Sequence, residues 1–213
     1  MIQTLLGRGL YLVWTAPVRP VWWVGERIAL SNTVIGRSDG FEVHCGPELR
    51  VSCRDVVERV ISALALIQLV DNGRFERIRS DMPRFLVRKA ASAQYWLGPK
   101  ICLVALDNVL SRSEVDLALT IVHEATHARI VNSGIGWWPD LFERIERRCI
   151  RSEIAFCRRL ALAGYRVSAR IVWYEERLTR PVYSRQLRKA RRIRAAKLHG
   201  LPSWVQRLMK SWP

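Results

Sequence analysis

One segment of this chain is apolar around most of its helical circumference, so it has to lie inside a folded domain. Its period predicts a helix over residues 113–132, with Ser113 and Asp116 in capping-box spacing and glycines at positions 134 and 136 beyond the end. The polar residues form only a narrow stripe, made of Asp116, Thr120, His123 and His127. A helix with so little polar surface is buried on most sides, and we expect the remaining elements to pack around it.

The composition supports one folded domain, with or without a tail. The chain has 213 residues, of which 49% are hydrophobic and 25% charged, and this is ample apolar mass for a core. Glycine and proline are near average, aromatic residues are plentiful and no heptad pattern persists. These properties exclude a disordered chain, a coiled coil and a disulfide-stapled miniprotein.

The N-terminal residues and the cysteines predict where the protein resides. The longest uncharged stretch near the start, residues 9–18, is shorter than the roughly 20 residues that a membrane-spanning helix needs, and no signal-peptide pattern accompanies it. The five cysteines form no CxxC pair, so we expect them to be reduced and mostly packed. They are Cys45, Cys53, Cys102, Cys149 and Cys157. The prediction is a cytoplasmic protein.

The positive charge is concentrated at the C-terminal end. The chain carries 35 basic and 19 acidic residues, a net charge of +16, yet no acid follows Glu176. Eleven basic residues do follow it, which leaves residues 1–176 with 24 basic and 19 acidic side chains. We therefore expect three parts: residues 1–36, to which the pattern assigns no structure, a folded domain at 37–176, and a basic, Trp-containing tail at 177–213.

The other apolar periods predict an α+β fold in which helices dominate around a small sheet. The helix at 55–72 has Ser52 as its candidate N-cap, and the helix at 139–164 begins at a proline. In chain order, the predicted elements besides the buried helix are a helix at 55–72, strands at 85–87, 95–97 and 101–106, helices at 139–164 and 169–177, and in the tail a basic helix at 185–199 before a closing segment at 201–213.

Two histidines four residues apart indicate a metal site on the buried helix. The segment His123-Glu124-Ala125-Thr126-His127 places both imidazoles on one face, about 40° apart, where they can bind one zinc ion. Glu124 follows His123 directly, and its carboxylate can reach a water on that metal. The alternative is a polar helix face whose histidines have other partners. The motif uses two of only four histidines in the chain.

An acidic third ligand is expected on the helix predicted at 139–164. This helix offers Glu143, Glu146 and Glu153. At 100° per residue, Glu146 and Glu153 fall within its apolar face and Glu143 lies towards the edge of that face, whereas most of its arginines lie opposite. A carboxylate on a buried face is costly unless it is paired or coordinated. Glu146 and Glu153 are therefore candidate ligands, the alternative being an ion pair with an arginine such as Arg129.

The motif and the downstream acid resemble those of gluzincin-type zincin metallopeptidases. The resemblance covers roughly residues 55–164 and is most specific at His123, Glu124 and His127. Eighteen residues separate His127 from Glu146, which is similar to the HExxH-x18-E arrangement of gluzincin aminopeptidases. The resemblance implies a zincin-like domain that binds Zn²⁺ through His123, His127 and Glu146, with Glu153 orienting a ligating histidine, or with the roles of the two acids exchanged. The chain lacks the Asn-Glu-Gly-Phe-Ala sequence and the Gly-rich exopeptidase motif of the family.

The resemblance also implies a reaction. In this family zinc-bound water attacks a peptide carbonyl, with Glu124 as general base and then as proton donor to the leaving amine. Tyr165 and Tyr174 follow the glutamate helix and are candidate transition-state donors, or else buried rings with hydrated hydroxyls. A peptide or protein substrate is expected to pair as an extended strand with residues 95–97 or 101–106.

The basic tail suggests partners of a different kind and a second function. Its basic run can neutralise an anionic membrane surface, an acidic partner or nucleic acid. Trp204 and Trp212 recur with apolar residues at helical spacing, which favours an anionic membrane surface or an acidic partner over nucleic acid. A membrane surface would place the protein at the membrane periphery. The alternative is that this segment folds back onto the domain. The alternative function is a basic adaptor, or a protein that binds nucleic acid or an anionic surface, with a non-catalytic zincin-like fold. A structural zinc site would not need Glu124.

Overall fold

The computed structural model describes residues 33–46, 51–90, 93–96, 100–135 and 141–182, together with Leu30 and Leu49. This part of the chain has the predicted α+β architecture, with six helices and one sheet of five strands. In chain order the elements are β1 Val34–Ser38, β2 Phe41–Cys45, α1 Cys53–Val70, α2 Asn72–Asp81, β3 Arg84–Arg88, β4 Gln94–Trp96, β5 Ile101–Ala105, α3 Leu106–Ser111, α4 Glu114–Asn132, α5 Phe142–Leu162 and α6 Ser168–Thr179. The helix predicted at 185–199 and the closing segment at 201–213 lie outside the described residues.

The sheet is mixed, and its interior strand β5 is fully buried. The strand order is β1-β2-β3-β5-β4, in which β2, β3 and β5 run parallel while β1 and β4 pair antiparallel at the two ends. Every residue of β5 is buried, as expected for a parallel strand covered on both faces. Asp39 and Gly40 have φ values of 50° and 81° and close the β1–β2 hairpin, a conformation that an Asp-Gly turn favours.

The position of β5 corrects one prediction about the substrate. This strand pairs with β3 on one edge and with β4 on the other. It has no free edge, so the prediction that residues 101–106 pair with substrate is wrong. Strand β4 is outermost in the described sheet order, which leaves residues 94–96 as the candidate, with Leu97 outside the described part.

Helix α4 occupies the middle of the domain, as its apolar period predicts. It contacts α1, α2 and α5 as well as β4 and β5. Residues on nearly all of its faces are buried, including Leu117, Ala118, Leu119, Ile121 and Val122. Its N-terminus is capped as predicted, because Ser113 Oγ accepts a hydrogen bond from the backbone N–H of Asp116 at 3.2 Å and donates to the carboxylate of the same residue at 2.6 Å.

Several local structures were not predicted from the sequence. Helix α1 ends at Val70, close to the predicted end, but α2 begins two residues later. The Asp71 carboxylate accepts hydrogen bonds from the backbone N–H and the guanidinium of Arg74, both at 3.0 Å, and so caps α2 in spite of the turn-like Asn72-Gly73. Strands β1 and β2 and helix α3 were also missed, and β1 overlaps the segment to which no structure was assigned. The proline predicted to begin the helix at 139–164 lies outside the described residues.

Cys45 and Cys53 form a disulfide, so the prediction that the thiols are reduced is wrong for this pair. Cys45 ends β2 and Cys53 begins α1, and the short connection brings their Cα atoms to 5.9 Å, within the range that a disulfide spans. The remaining cysteines are free and buried, as expected: Cys102, Cys149 and Cys157. The Cys45–Cys53 disulfide does not support the predicted cytoplasmic location, since disulfides are typical of oxidising compartments. None of the helices in the described ranges has the length and apolar character that crossing a membrane requires.

An ion pair ties helix α6 to the start of α4. The Nε and Nη2 atoms of Arg170 donate to the two carboxylate oxygens of Asp116 at 2.7 and 2.9 Å. The hydrogen bond from Arg170, supported by that from Ser113 and opposed by partial burial, holds the pKa of Asp116 below its usual value. The pair therefore stabilises the packing of these two helices most strongly when Asp116 is ionised.

We predict that Asp116→Asn lowers the free energy of unfolding by about 1 kcal/mol at pH 7, because solvent partly screens this half-exposed pair. The folded-state pKa lies below the unfolded value of about 3.9, so the contribution is complete above that value and is lost as the pH falls through the folded-state pKa. Urea unfolding curves of the variant and the wild type should therefore converge at low pH. In an Arg170→Gln background the substitution should cost less than half as much, and an undiminished cost would contradict the account.

Candidate metal centre

Helices α4 and α5 pack together and bring the three predicted zinc ligands close to one another. The Nε2 atoms of His123 and His127 are 3.2 Å apart. The Glu146 carboxylate faces both rings, with one oxygen 3.6 Å from His123 Nε2 and the other 3.5 Å from His127 Nε2. This meeting follows from the local sequence, since the histidines are one helical turn apart on α4 and Glu146 belongs to the apolar face of α5.

The distance between the two histidine nitrogens fits a zinc ion, and a carboxylate lies next to both. Zinc binds imidazole nitrogen and carboxylate oxygen at about 2.0–2.1 Å, usually with tetrahedral geometry. The edge of a tetrahedron is about 1.6 times the distance from its centre to a corner, so neighbouring donors should lie about 3.3–3.4 Å apart. The two imidazole nitrogens are 3.2 Å apart, which is close to this value, and each lies 3.5 or 3.6 Å from a different oxygen of Glu146. Two imidazoles and a carboxylate are also donor types that zinc accepts, and three protein ligands leave a fourth position open.

Glu153 lies on the other side of the His123 ring from Glu146. The Nδ1–H of His123 donates to Glu153 Oε2 at 3.0 Å. This hydrogen bond selects the tautomer in which Nε2 carries the free lone pair that a metal ligand needs. Burial and the nearby Glu153 carboxylate raise the pKa of Tyr174 on α6, whose hydroxyl therefore lies close to Glu153. The chain of contacts from Tyr174 through Glu153 to His123 therefore fixes the orientation of that ring.

The other candidate donor, Tyr165, is not brought to this cluster. It lies beyond the end of α5 and is 37% exposed. The helix between Glu153 and Leu162 alone spans about 14 Å. Of the two predicted donor tyrosines, only Tyr174 lies next to a residue of the candidate centre, and that residue is Glu153.

The centre is buried and strongly acidic. Glu124 is 6% exposed and Glu146 and Glu153 are 5% exposed each, whereas 15% of the His123 side chain reaches the surface. Burial disfavours a charged imidazole, but the hydrogen bond and charge of Glu153, with the charges of Glu124 and Glu146, raise the pKa of His123 to about 9. Three buried carboxylates are therefore unfavourable here unless positive charge compensates them, and a proton on His123 or a metal cation can supply that charge.

Glu124 is buried, and its charge acts both on this centre and on the sheet. Its carboxylate is near enough to Cys102 on β5 that, in addition to burial, its charge raises the pKa of that thiol. The same charge contributes to the raised pKa of His123. Glu124 is thus a buried acid beside the histidines that takes no part in the three-donor contact described above.

Cys149 is a further member of the cluster that the sequence analysis missed. Its Sγ and one nitrogen from each of His123 and His127 lie within 4.8 Å of one another, so these three residues could hold a metal ion. The prediction that Cys149 is a buried core residue is confirmed. Its position three residues after Glu146, on the same face of α5, is the signal that could have identified it. Burial and the neighbouring carboxylates raise the pKa of this thiol well above its usual value.

Comparisons with known proteins found no relative from which a role could be transferred. No family model, no curated protein and no solved structure matches this chain. The interpretation of the centre therefore depends on its donor atoms, their spacing and their burial.

We predict that Glu153→Gln weakens zinc binding by about 10- to 100-fold, because an amide holds the Nδ1–H of His123 less strongly than a carboxylate. Tyr174→Phe should have a smaller effect of the same sign. Affinity is measured by competition with a chromophoric zinc chelator. Glu175→Gln, on the exposed side of α6, is the matched control and should bind zinc as the wild type does. Wild-type affinity in Glu153→Gln would contradict the orienting role.

Proposed function

We propose that this chain is a zinc-dependent metallopeptidase of the gluzincin type that hydrolyses peptide bonds in a peptide or protein. His123, His127 and Glu146 would hold the metal, and Glu124 would be the general base. One observation carries the proposal: the nitrogens of His123 and His127 are at tetrahedral spacing, the Glu146 carboxylate faces both, and a further acid, Glu124, is buried near them. A metal site that only stabilises a fold has no need of such a base.

The residues would divide the chemistry as follows. Zinc, when bound, supplies a Lewis acid that polarises a carbonyl and lowers the pKa of water towards about 7. Glu124 would accept the proton of the attacking water and deliver it to the departing amine. Glu153 would keep the Nε2 lone pair of His123 directed at the cluster. The exclusion of water around Glu124 strengthens its electrostatic interactions with the reacting groups.

The sheet offers a place for an extended substrate beside these residues. Tyr95, in the middle of β4, is directly opposite Cys102 on β5. Cys102 is the residue whose thiol lies close to Glu124. A peptide paired with the outer edge of β4 would therefore be separated by β4 from Cys102 and the nearby Glu124. Its main-chain hydrogen bonds to β4 would supply affinity without requiring a particular sequence.

A closed metal site in a non-catalytic protein is the second candidate function. The observation that favours it is the presence of Cys149 within 4.8 Å of the histidine nitrogens. A thiolate added to His123, His127 and Glu146 would complete a tetrahedron and leave no position for water, which is how structural zinc sites are built. The chain would then act through its basic surfaces, as an adaptor or as a protein that binds nucleic acid or an anionic surface.

The two candidates differ in their response to substitution of Glu124. In a hydrolase, Glu124→Gln should keep about one zinc per chain and lose at least 100-fold in the cleavage rate of a mixed peptide library, because the base is gone while the ligands remain. His123→Ala should lose both zinc and cleavage. Metal content is measured by elemental analysis of the same samples, so that a loss of metal and a loss of the base are separated.

Substitution of Cys149 supplies the complementary test. If the site is open, Cys149→Ser should retain zinc and cleavage, since the thiol is not a ligand. Loss of zinc in this variant, together with an absence of cleavage in metal-replete wild type, would favour the closed site. Cys157→Ser, another buried free cysteine of α5, controls for a general effect on the helix.

A further inference from the structure

A large groove with an excess of positive charge lies between helices α2, α4 and α5. Its volume is about 1120 Å³, which exceeds the range of roughly 300–1,000 Å³ typical of small-molecule sites. Seven arginines line it, and Asp81 is the single acid among its described lining residues. No lysine or histidine contributes within the same set, so guanidinium groups supply the positive charge.

This groove is separate from the candidate metal centre. On α4 its lining includes Val122, Ala125 and Arg129, which project about 100–160° away from His123 around the helix axis. On α5 its lining includes Arg144, which projects about 160° away from Glu146. None of the residues assigned to the metal centre is among the described lining residues of the groove.

Two of the seven arginines have structural partners. Arg74 donates to Asp71 at 3.0 Å and to Ser152 at 2.6 Å, and Arg147 donates to Glu143 at 2.8 Å. The other five are exposed, and within the described part of the chain no hydrogen bond or ion pair holds them. They are Arg77, Arg129, Arg144, Arg148 and Arg151. Exposed guanidiniums on three helices are thus available to a ligand.

The spacing of these charges indicates an elongated ligand. Arg144, Arg148 and Arg151 follow one another along α5 over about 10 Å. Arg77 and Arg129 face the groove from two other helices. A single phosphate or carboxylate cannot contact groups so widely distributed, whereas acidic side chains spaced along an extended chain can, because such a chain advances about 3.3 Å per residue.

The lining between the arginines is apolar, which favours some negatively charged ligands of the groove over others. Ile78, Val122 and Ile145 contribute to it, and Ile135 is 43% exposed there. The described lining residues include no aromatic side chain that could stack on a single-stranded base. The concave shape of the groove does not suit a flat membrane surface. Apolar side chains flanked by carboxylates match it better than either.

We propose that this groove binds an acidic peptide segment of a partner protein, in which carboxylates pair with the arginines and interspersed aliphatic side chains contact the apolar lining. Arginine clusters bind acidic motifs through charge-assisted and often bidentate hydrogen bonds. The arginines of the groove would therefore determine which partner binds, in addition to keeping the protein soluble.

The test is fluorescence anisotropy with a short labelled peptide that contains glutamate and leucine in equal numbers. The full-length wild type should bind it, with affinity that falls as salt rises. The groove variant Arg77→Gln/Arg129→Gln/Arg144→Gln, with one substitution on each helix, should bind at least tenfold more weakly. A peptide with glutamine in place of glutamate should bind the wild type at least tenfold more weakly as well.

The control variant Arg37→Gln/Arg54→Gln/Arg166→Gln removes the same charge from exposed arginines outside the groove. It should retain wild-type affinity within about twofold. Equal weakening in both variants would overturn the proposal, because general attraction to a basic protein would then explain the binding. Tighter binding of a labelled oligouridylate that is lost in the groove variant would also overturn it, and would assign the groove to nucleic acid. Circular dichroism of each variant establishes that it is folded.

Discussion

The burial of acidic side chains at the contact between α4 and α5 is the constraint on which the rest of this structure depends. Glu124, Glu146 and Glu153 are each at most 6% exposed, in the interior of a domain with a continuous hydrophobic core. Carboxylates in such surroundings destabilise a fold unless they are hydrogen-bonded, paired or coordinated. His123 and His127 provide partners from the facing helix, and a divalent cation would supply more compensating charge. Any chemistry at the centre and the packing of the two helices are therefore linked.

The surrounding framework holds this contact from several directions. Helix α4 is enclosed by α1, α2, the sheet and α5. Helix α6 reaches both members of the pair, since Arg170 binds Asp116 at the start of α4 and Tyr174 contacts Glu153 on α5. On the far side, Asp71 forms an ion pair with Arg159 of α5, with Oδ2 and Nε 3.3 Å apart. Small changes in any of these contacts would alter the separation of the donor atoms, which is the quantity on which metal binding depends.

The sequence was most informative where the apolar period was long. It predicted α4 and most of α5, and it placed Glu146 and Glu153 on a buried face, because the projection of a helix fixes which residues share a side. It was least informative where short segments take their structure from distant partners. Strand β2 pairs with β3, and β1 is held in the sheet by pairing with β2, while the Cys45–Cys53 disulfide depends on the path of the chain between the two cysteines. Cys149 was classified by its buried position alone, and that position does not distinguish a core thiol from a donor.

The central claim is that His123, His127 and Glu146 form an open zinc site, and the most direct test is the X-ray absorption spectrum at the zinc edge of the purified, zinc-loaded chain. The account predicts about one zinc per chain with nitrogen and oxygen neighbours at about 2.0–2.1 Å and no sulfur neighbour. A sulfur shell at about 2.3 Å would contradict it, because Cys149 would then be a ligand and the site would be closed. Failure of the metal-replete protein to retain zinc would contradict it as well.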